Sequence, residues 1–235
     1  NDSKGWAKNT IDTLGFAPDI VFTSEDYGDT YAKYLGAHHI KVDKARKNFP
    51  ISGTEIRNNP WGHWQYLSKP VREYFARRIC VLGAESTGTT TLSKALAQHY
   101  SAEWVAEYGR EYSEEKIARD PNEAWTSNEF AVIAQEQNNQ EDSAARNSGG
   151  LVVCDTDAFA TSVWHERYMD GRSPDVEHLA LGRHYDLYIL TGEEIPFVQD
   201  GTRDGEHIRS WMNDQFRYKL SLWGKPYLEV HGDKN

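Results

Sequence analysis

The chain has 235 residues, 38% of them apolar, and a formal net charge of −10 at pH 7. That apolar content suits an ordinary core in one large or two modest domains, while the acidic balance argues against a nucleic-acid binder, whose affinity comes from clustered Lys and Arg. No stretch approaches the roughly 18 continuous apolar residues of a membrane helix, and Asn1 to Thr10 lacks a signal peptide's apolar segment. A soluble protein handling small nucleotides is expected, and the start Asn1-Asp2-Ser3, without an initiator Met, suggests a fragment. Cys80 and Cys154 are the only cysteines, each in an apolar run; two inert core thiols with no disulfide framework suit a reducing cytoplasm.

In chain order, Ile20 to Ser24 predicts a short strand, Tyr31 to Gly36 a helix, and Ile40 to Val42 a second strand. An aromatic segment bounded by prolines follows, from Asn58 to Pro70, and a domain junction is expected there: residues 1–70 form one domain and 71–235 the other. Alternation restarts at Ile79-Cys80-Val81-Leu82 and recurs at Leu151 to Cys154 and at Leu187 to Leu190, with long helical stretches between. This pattern predicts an α/β fold, a mostly parallel sheet covered by helices on both faces.

After the strand ending at Leu82 comes Gly83-Ala84-Glu85-Ser86-Thr87-Gly88-Thr89-Thr90-Thr91-Leu92, which opens a helix. The glycines have the spacing of a phosphate loop, in which backbone N–H groups turn inward on an anion and the helix N-terminus adds partial positive charge. Thr90 holds the hydroxyl position that ligates Mg²⁺. The departure is Thr89, which stands where G-x-x-x-x-G-K-[ST] places the lysine on the outer phosphates, so that charge must come from elsewhere.

Glu107 and Arg110 follow the next strand, at the edge where open α/β sheets bind ligands; they suit a substrate hydroxyl and a phosphate, or a simple ion pair at a helix start. The following strand ends in Asp155-Thr156-Asp157. An acid there holds Mg²⁺ or its water, or accepts the proton of an attacking hydroxyl, and helix capping is the bland alternative for both aspartates. Asp200 to Arg209 reads as a glycine-bearing lid, with Arg203 and Arg209 as candidates to replace the missing lysine charge. The nine histidines show no H-x-x-x-H pair, so no protein-built zinc site is expected.

Taken together, Ile51-Ser52-Gly53-Thr54-Glu55-Ile56-Arg57, Gly83 to Leu92, Glu107 to Glu111, Asp155 to Asp157 and Asp200 to Arg203 resemble, in order and spacing, the NadR-type bifunctional family of NAD biosynthesis. The resemblance covers nearly the whole chain. It implies a P-loop ribosylnicotinamide kinase domain preceded by the rear part of a Rossmann-like nucleotidyltransferase (adenylyltransferase) domain. ATP would lie over Gly83, Glu85, Ser86, Thr87, Gly88, Thr89, Thr90 and Thr91, with Mg²⁺ near Thr90 and Asp155. The riboside would lie near Glu107, Tyr108 and Arg110, with Asp155, Asp157, Arg203 and Arg209 as catalytic candidates. Ser52, Thr54 and Arg57 match an adenylyltransferase element that contacts ATP phosphates, but no H-x-G-H sequence is present, and His38-His39 lacks the glycine. Adenylyl transfer by this chain is therefore not expected. The implied ligands are ribosylnicotinamide, ATP and NAD, with no nucleic acid and no membrane, and a homo-oligomer stays open. Two alternatives stand beside this: a P-loop kinase for another nucleoside, and a nucleotide-binding regulatory module that transfers no phosphate.

Overall fold

A computed structural model describes residues 2–232. The chain divides into two compact units, Asn1–Pro60 and Trp61–Asn235. The first contains α1 (Ser3–Leu14), β1 (Ile20–Thr23), α2 (Gly28–Leu35), β2 (His38–Lys41) and α3 (Gly53–Asn58). β1 and β2 pair in parallel, Val21 opposite His39, across the α2 crossover. Val21 packs with Ala7, Ala32 and Leu35, while its neighbours Ile20 and Phe22, pointing to the other face by the two-residue period of a strand, are exposed. α1 was not expected from the sequence pattern.

The second unit begins ten residues earlier than the predicted junction at residue 70. The reason lies in the aromatic segment itself, which forms the 3₁₀ helix Trp61–Tyr66. Trp64 Nε1 donates to the Ser148 carbonyl at 2.7 Å, Trp61 Nε1 donates to the Phe75 carbonyl at 3.1 Å, and the Arg77 guanidinium stacks 4.4 Å from the Trp61 ring. These aromatics are packing for the second unit. There follow α4 (Lys69–Phe75), β3 (Arg77–Leu82), α5 (Thr89–Tyr100), β4 (Glu103–Val105), α6 (Tyr108–Arg119) and α7 (Ser127–Asn147). Then come β5 (Leu151–Asp155), α8 (Ala158–Met169), α9 (Pro174–Leu181), β6 (Leu187–Thr191), α10 (Arg209–Leu222) and β7 (Tyr227–Val230).

The five strands run parallel in the order β4-β5-β3-β6-β7. Their side chains alternate between two apolar clusters. Val81, Val153 and Ile189 point to one face and pack with Ala97, Leu92 and Leu96 of α5. Cys80, Leu82, Cys154, Tyr188 and Leu190 point to the other, against Phe130 of α7, Phe159 of α8 and Phe216 of α10. This is the expected sheet covered on both faces, as buried parallel sheets require. Cys80 and Cys154 are free, fully buried register partners whose thiol pKa values are pushed well up by burial. Among the described residues, no helix is long and apolar enough to cross a membrane.

Because the strand order reverses on either side of central β3, the loops after β3, β5 and β6 open together at the C-terminal edge, the topological switch point of such sheets.

Candidate active site

The loop after β3 is held in shape by residues distant in sequence. Thr87 Oγ1 donates to the Ala84 carbonyl at 2.7 Å and accepts from Thr191 Oγ1 at 2.7 Å. Asn213 of α10 accepts from the Ala84 N–H at 3.0 Å and donates to the Thr191 carbonyl at 3.1 Å. Gly83 must be glycine, since a Cβ there would collide with the Thr191 and Thr87 hydroxyls, and Gly88 takes a left-handed φ of 87° as the N-cap of α5. The result is a P-loop held in shape by the chain's own hydrogen bonds.

This loop forms one wall of a cleft. Gly83, Glu85, Ser86, Thr89 and Thr90 line it from the loop, Glu107 and Arg110 from the start of α6, and Arg203 from the segment before α10. A second part of the lining is aromatic: Trp125, Phe130, Trp164 and Tyr168. Trp125 lies 5.1 Å from Phe130 and 5.6 Å from Tyr168, and Trp164 stacks on Tyr168 at 6.4 Å.

The acidic groups sort themselves by partner. Asp155, at the end of β5, is 2% exposed; burial raises its pKa while hydrogen bonds from the Thr90 and Thr89 hydroxyls hold it down. Its Oδ1 is buried without a hydrogen-bond partner. A carboxylate oxygen left over beside the Thr90 hydroxyl suits a hard cation that takes oxygen ligands and keeps several waters, so the donor set fits Mg²⁺. Asp157 is not brought to the cleft. Its Oδ1 accepts from Ala160 N–H at 2.9 Å as the N-cap of α8, and its Oδ2 accepts from the Tyr188 hydroxyl at 2.8 Å. Both oxygens serve the fold, which is the capping alternative. Glu107 differs from both: it lines the cleft with its pKa pushed up to about 7, first by burial and then by the Asp155 charge, against the pull of Arg110.

The remaining expected residues divide in the same way. Arg110 donates to Asp200 at 2.7 Å and Arg203 pairs with the same carboxylate oxygen at 3.2 Å. Burial alone would raise the Asp200 pKa, but hydrogen bonds from Arg110 and Thr202 hold it well below the usual carboxylate range. Glu85 commits its carboxylate to protein partners, accepting from Arg167 at 2.9 Å and from the Gly205 N–H at 2.7 Å, so it ties the P-loop to the segment before α10. Ser86 Oγ accepts from Val198 N–H at 2.9 Å. The Thr87 hydroxyl is likewise committed inward, and Thr91 is exposed outside the cleft lining. Arg209 is not brought to the cleft; it donates to the Ile195 carbonyl at 2.9 Å and the Glu193 carbonyl at 3.2 Å, bracing that loop. Tyr108 contributes its N–H to Gln137 Oε1 at 2.9 Å and its ring to a shallow surface outside the cleft. Ser52, Thr54 and Arg57 belong to the first unit, where Ser52 and Glu55 form a capping box for α3 and Arg57 donates to Thr54 Oγ1 at 3.2 Å.

Sequence reasoning missed the aromatic wall, Gln137, Thr191, Asn213 and Arg167. Trp164 and Tyr168 carried a signal, four residues apart just after Asp155-Thr156-Asp157, but that spacing equally describes a helix face packed in a core.

A family described as an AAA domain matches residues 78–235. Among curated proteins, the trifunctional NAD biosynthesis/regulator protein NadR of Escherichia coli (strain K12) is 32% identical over 190 residues, 80% of this chain and 46% of the relative. Its counterpart of Salmonella typhimurium (strain LT2) matches with the same identity and coverage. The chain thus spans about half the length of these curated relatives. Among solved structures, a NadR protein in complex with NR is similar in fold with a TM-score of 0.72 at 23% identity, covering 100% of this chain and 70% of that one. A NadR protein in complex with NAD and AMP-PNP gives 0.66 at 22% identity, covering 99% and 68%.

Proposed function

The chain belongs to the AAA-domain family, matched over residues 78–235, and on that premise we propose that its second unit moves the γ-phosphoryl group of MgATP to the 5′-hydroxyl of ribosylnicotinamide. The observation that carries this is the cleft itself, lined by a P-loop and by four aromatic side chains. Ribosylnicotinamide presents a planar, positively charged pyridinium, and aromatic faces attract such a cation by their quadrupole while stacking on its ring. The NR and AMP-PNP held by the solved NadR proteins support the same pair of ligands.

In this mechanism the backbone N–H groups of Glu85 to Thr90 and the N-terminus of α5 cradle the phosphates. Thr90 and Asp155 would hold Mg²⁺, which when bound offsets negative charge on the outer phosphates. Glu107 accepts the proton of the 5′-hydroxyl: among the described residues it is the cleft-lining carboxylate without a committed partner, and a pKa of about 7 suits a base at neutral pH. As the oxygen–phosphorus bond forms, the bond to ADP breaks and the proton stays on Glu107. Arg203 and Arg110 line the cleft and supply the positive charge that Thr89 does not. The first unit carries Ser52, Thr54 and Arg57 of an adenylyltransferase-like element without H-x-G-H, so this chain makes no NAD from nicotinamide mononucleotide and ATP.

The test is product identification: purified chain with MgATP and a panel of nucleosides, followed by mass spectrometry. Nicotinamide mononucleotide as the preferred product supports the proposal, whereas preferred phosphorylation of an uncharged nucleoside would reassign the acceptor.

A further inference from the structure

Six non-glycine residues among those described have a positive φ: Asp43, Arg46, Ser86, Ser101, Thr156 and Asp170. Ser101 and Asp170 are the C-caps of α5 and α8, where a left-handed residue is ordinary, and aspartate tolerates that region at Asp43. Ser86 shapes the P-loop. Thr156 is the one β-branched residue of the six, with φ at 68°, a conformation its Cβ substituents disfavour and glycine would adopt freely. Such outliers persist where something other than local stability retains them.

The backbone hydrogen bond does not supply the reason. The Thr156 N–H donates to the Val81 carbonyl at 2.9 Å, a bond any residue but proline makes. Nearby hydroxyls are all committed: Thr87 to the Ala84 carbonyl, Thr161 to the Asp157 carbonyl and Thr191 to Thr87. The Thr156 hydroxyl has no hydrogen-bond partner among the described residues, and the residue lines the cleft. Its bond to Val81 sets it beside the start of the P-loop, and Glu107 and Gln137 line the same cleft from the acceptor side.

We propose that Thr156 is a substrate-binding residue whose hydroxyl hydrogen-bonds a ribose hydroxyl of the acceptor, holding the sugar with its 5′-oxygen toward the phosphates. Its acceptor rests on the kinase function proposed above. A site built around a substrate hydroxyl discriminates against analogues lacking it, so Thr156 also helps select ribosides over deoxyribosides.

Thr156→Gly, Thr156→Val and Thr156→Ser, made in the full chain, separate this from a structural role. Thr156→Gly relieves the backbone and is expected to raise the melting temperature by about 2 °C while lowering kcat/KM for the riboside about 10-fold. Thr156→Val keeps the shape without the hydroxyl and loses about 10-fold, and Thr156→Ser stays within about 3-fold of wild type. Against the 2′-deoxy and 3′-deoxy analogues, Thr156→Val should equal wild type for whichever lacks the bonded hydroxyl. Unchanged riboside affinity and kcat/KM in Thr156→Gly and Thr156→Val would overturn the proposal. Failure of the kinase function looks different: wild type itself would turn over no riboside.

Discussion

The two walls of the cleft are built in different ways. The nucleotide wall is one contiguous loop, Gly83 to Thr90, locked from behind by Thr191 and Asn213. The acceptor wall is assembled from the start of α6, from α7, from Trp125 in the segment between them and from α8, and holds aromatic faces beside a single ionisable group poised near neutrality. A contiguous loop fixed by buried hydrogen bonds binds what all nucleotides share. A composite wall varies one helix at a time, so it is the side that selects the acceptor. Substitutions on the first wall should therefore slow every substrate alike, and those on the second should change which substrate is preferred.

The largest effect is expected at Asp155, which ends β5 beside the nucleotide wall and is bonded by Thr89 and Thr90. Asp155→Asn should lower kcat about 1,000-fold for every acceptor with folding intact, as steady-state ADP release and a denaturant titration would reveal. Glu107→Gln should lower kcat about 100-fold. The carboxylate must be deprotonated to accept a proton, so wild-type kcat/KM falls as pH drops below about 7, and that slope should vanish in the variant. Arg203→Ala, if this guanidinium supplies the charge absent at Thr89, should lower kcat by a few tens of fold, about 2 kcal/mol, with a smaller effect on riboside affinity. Unchanged turnover would remove Arg203 from the mechanism. Trp164→Ala should raise KM for ribosylnicotinamide about 10-fold while leaving KM for MgATP unchanged, and the penalty should shrink for a neutral nucleoside. Equal penalties would break the distinction between the walls. Asp157→Ala sharpens it from outside the cleft. Loss of the α8 cap and of the Tyr188 partner should reduce stability by about 2 kcal/mol while kcat stays within about 3-fold.

What the sequence disclosed follows the same division. The parallel sheet was legible because its strands are short apolar runs at Ile79, Leu151 and Leu187, and the P-loop because its glycines and hydroxyls are adjacent in the chain. Asp155 and Asp157 were not separable by sequence, since both follow one strand and both residue types cap helices; the tie between Asp157 and Tyr188 joins residues 31 positions apart. Glu107 was legible by place but not by role, because its raised pKa comes from burial and from Asp155, a neighbour only in space. The aromatic wall was hidden because Trp125, Phe130, Trp164 and Tyr168 have the composition and spacing of core residues. The junction shifted for a related reason: Trp61 and Trp64 mark a composition boundary, yet their indole N–H groups bond the second unit.

Riboside-dependent ADP release from MgATP, compared among wild type, Asp155→Asn and Asp157→Asn, bears most directly on the central claim. The account predicts release that requires ribosylnicotinamide, persists in wild type despite Thr89, collapses in Asp155→Asn and survives in Asp157→Asn. Tight MgATP binding with no riboside-dependent release would contradict it, and would make the P-loop a nucleotide-holding regulatory device.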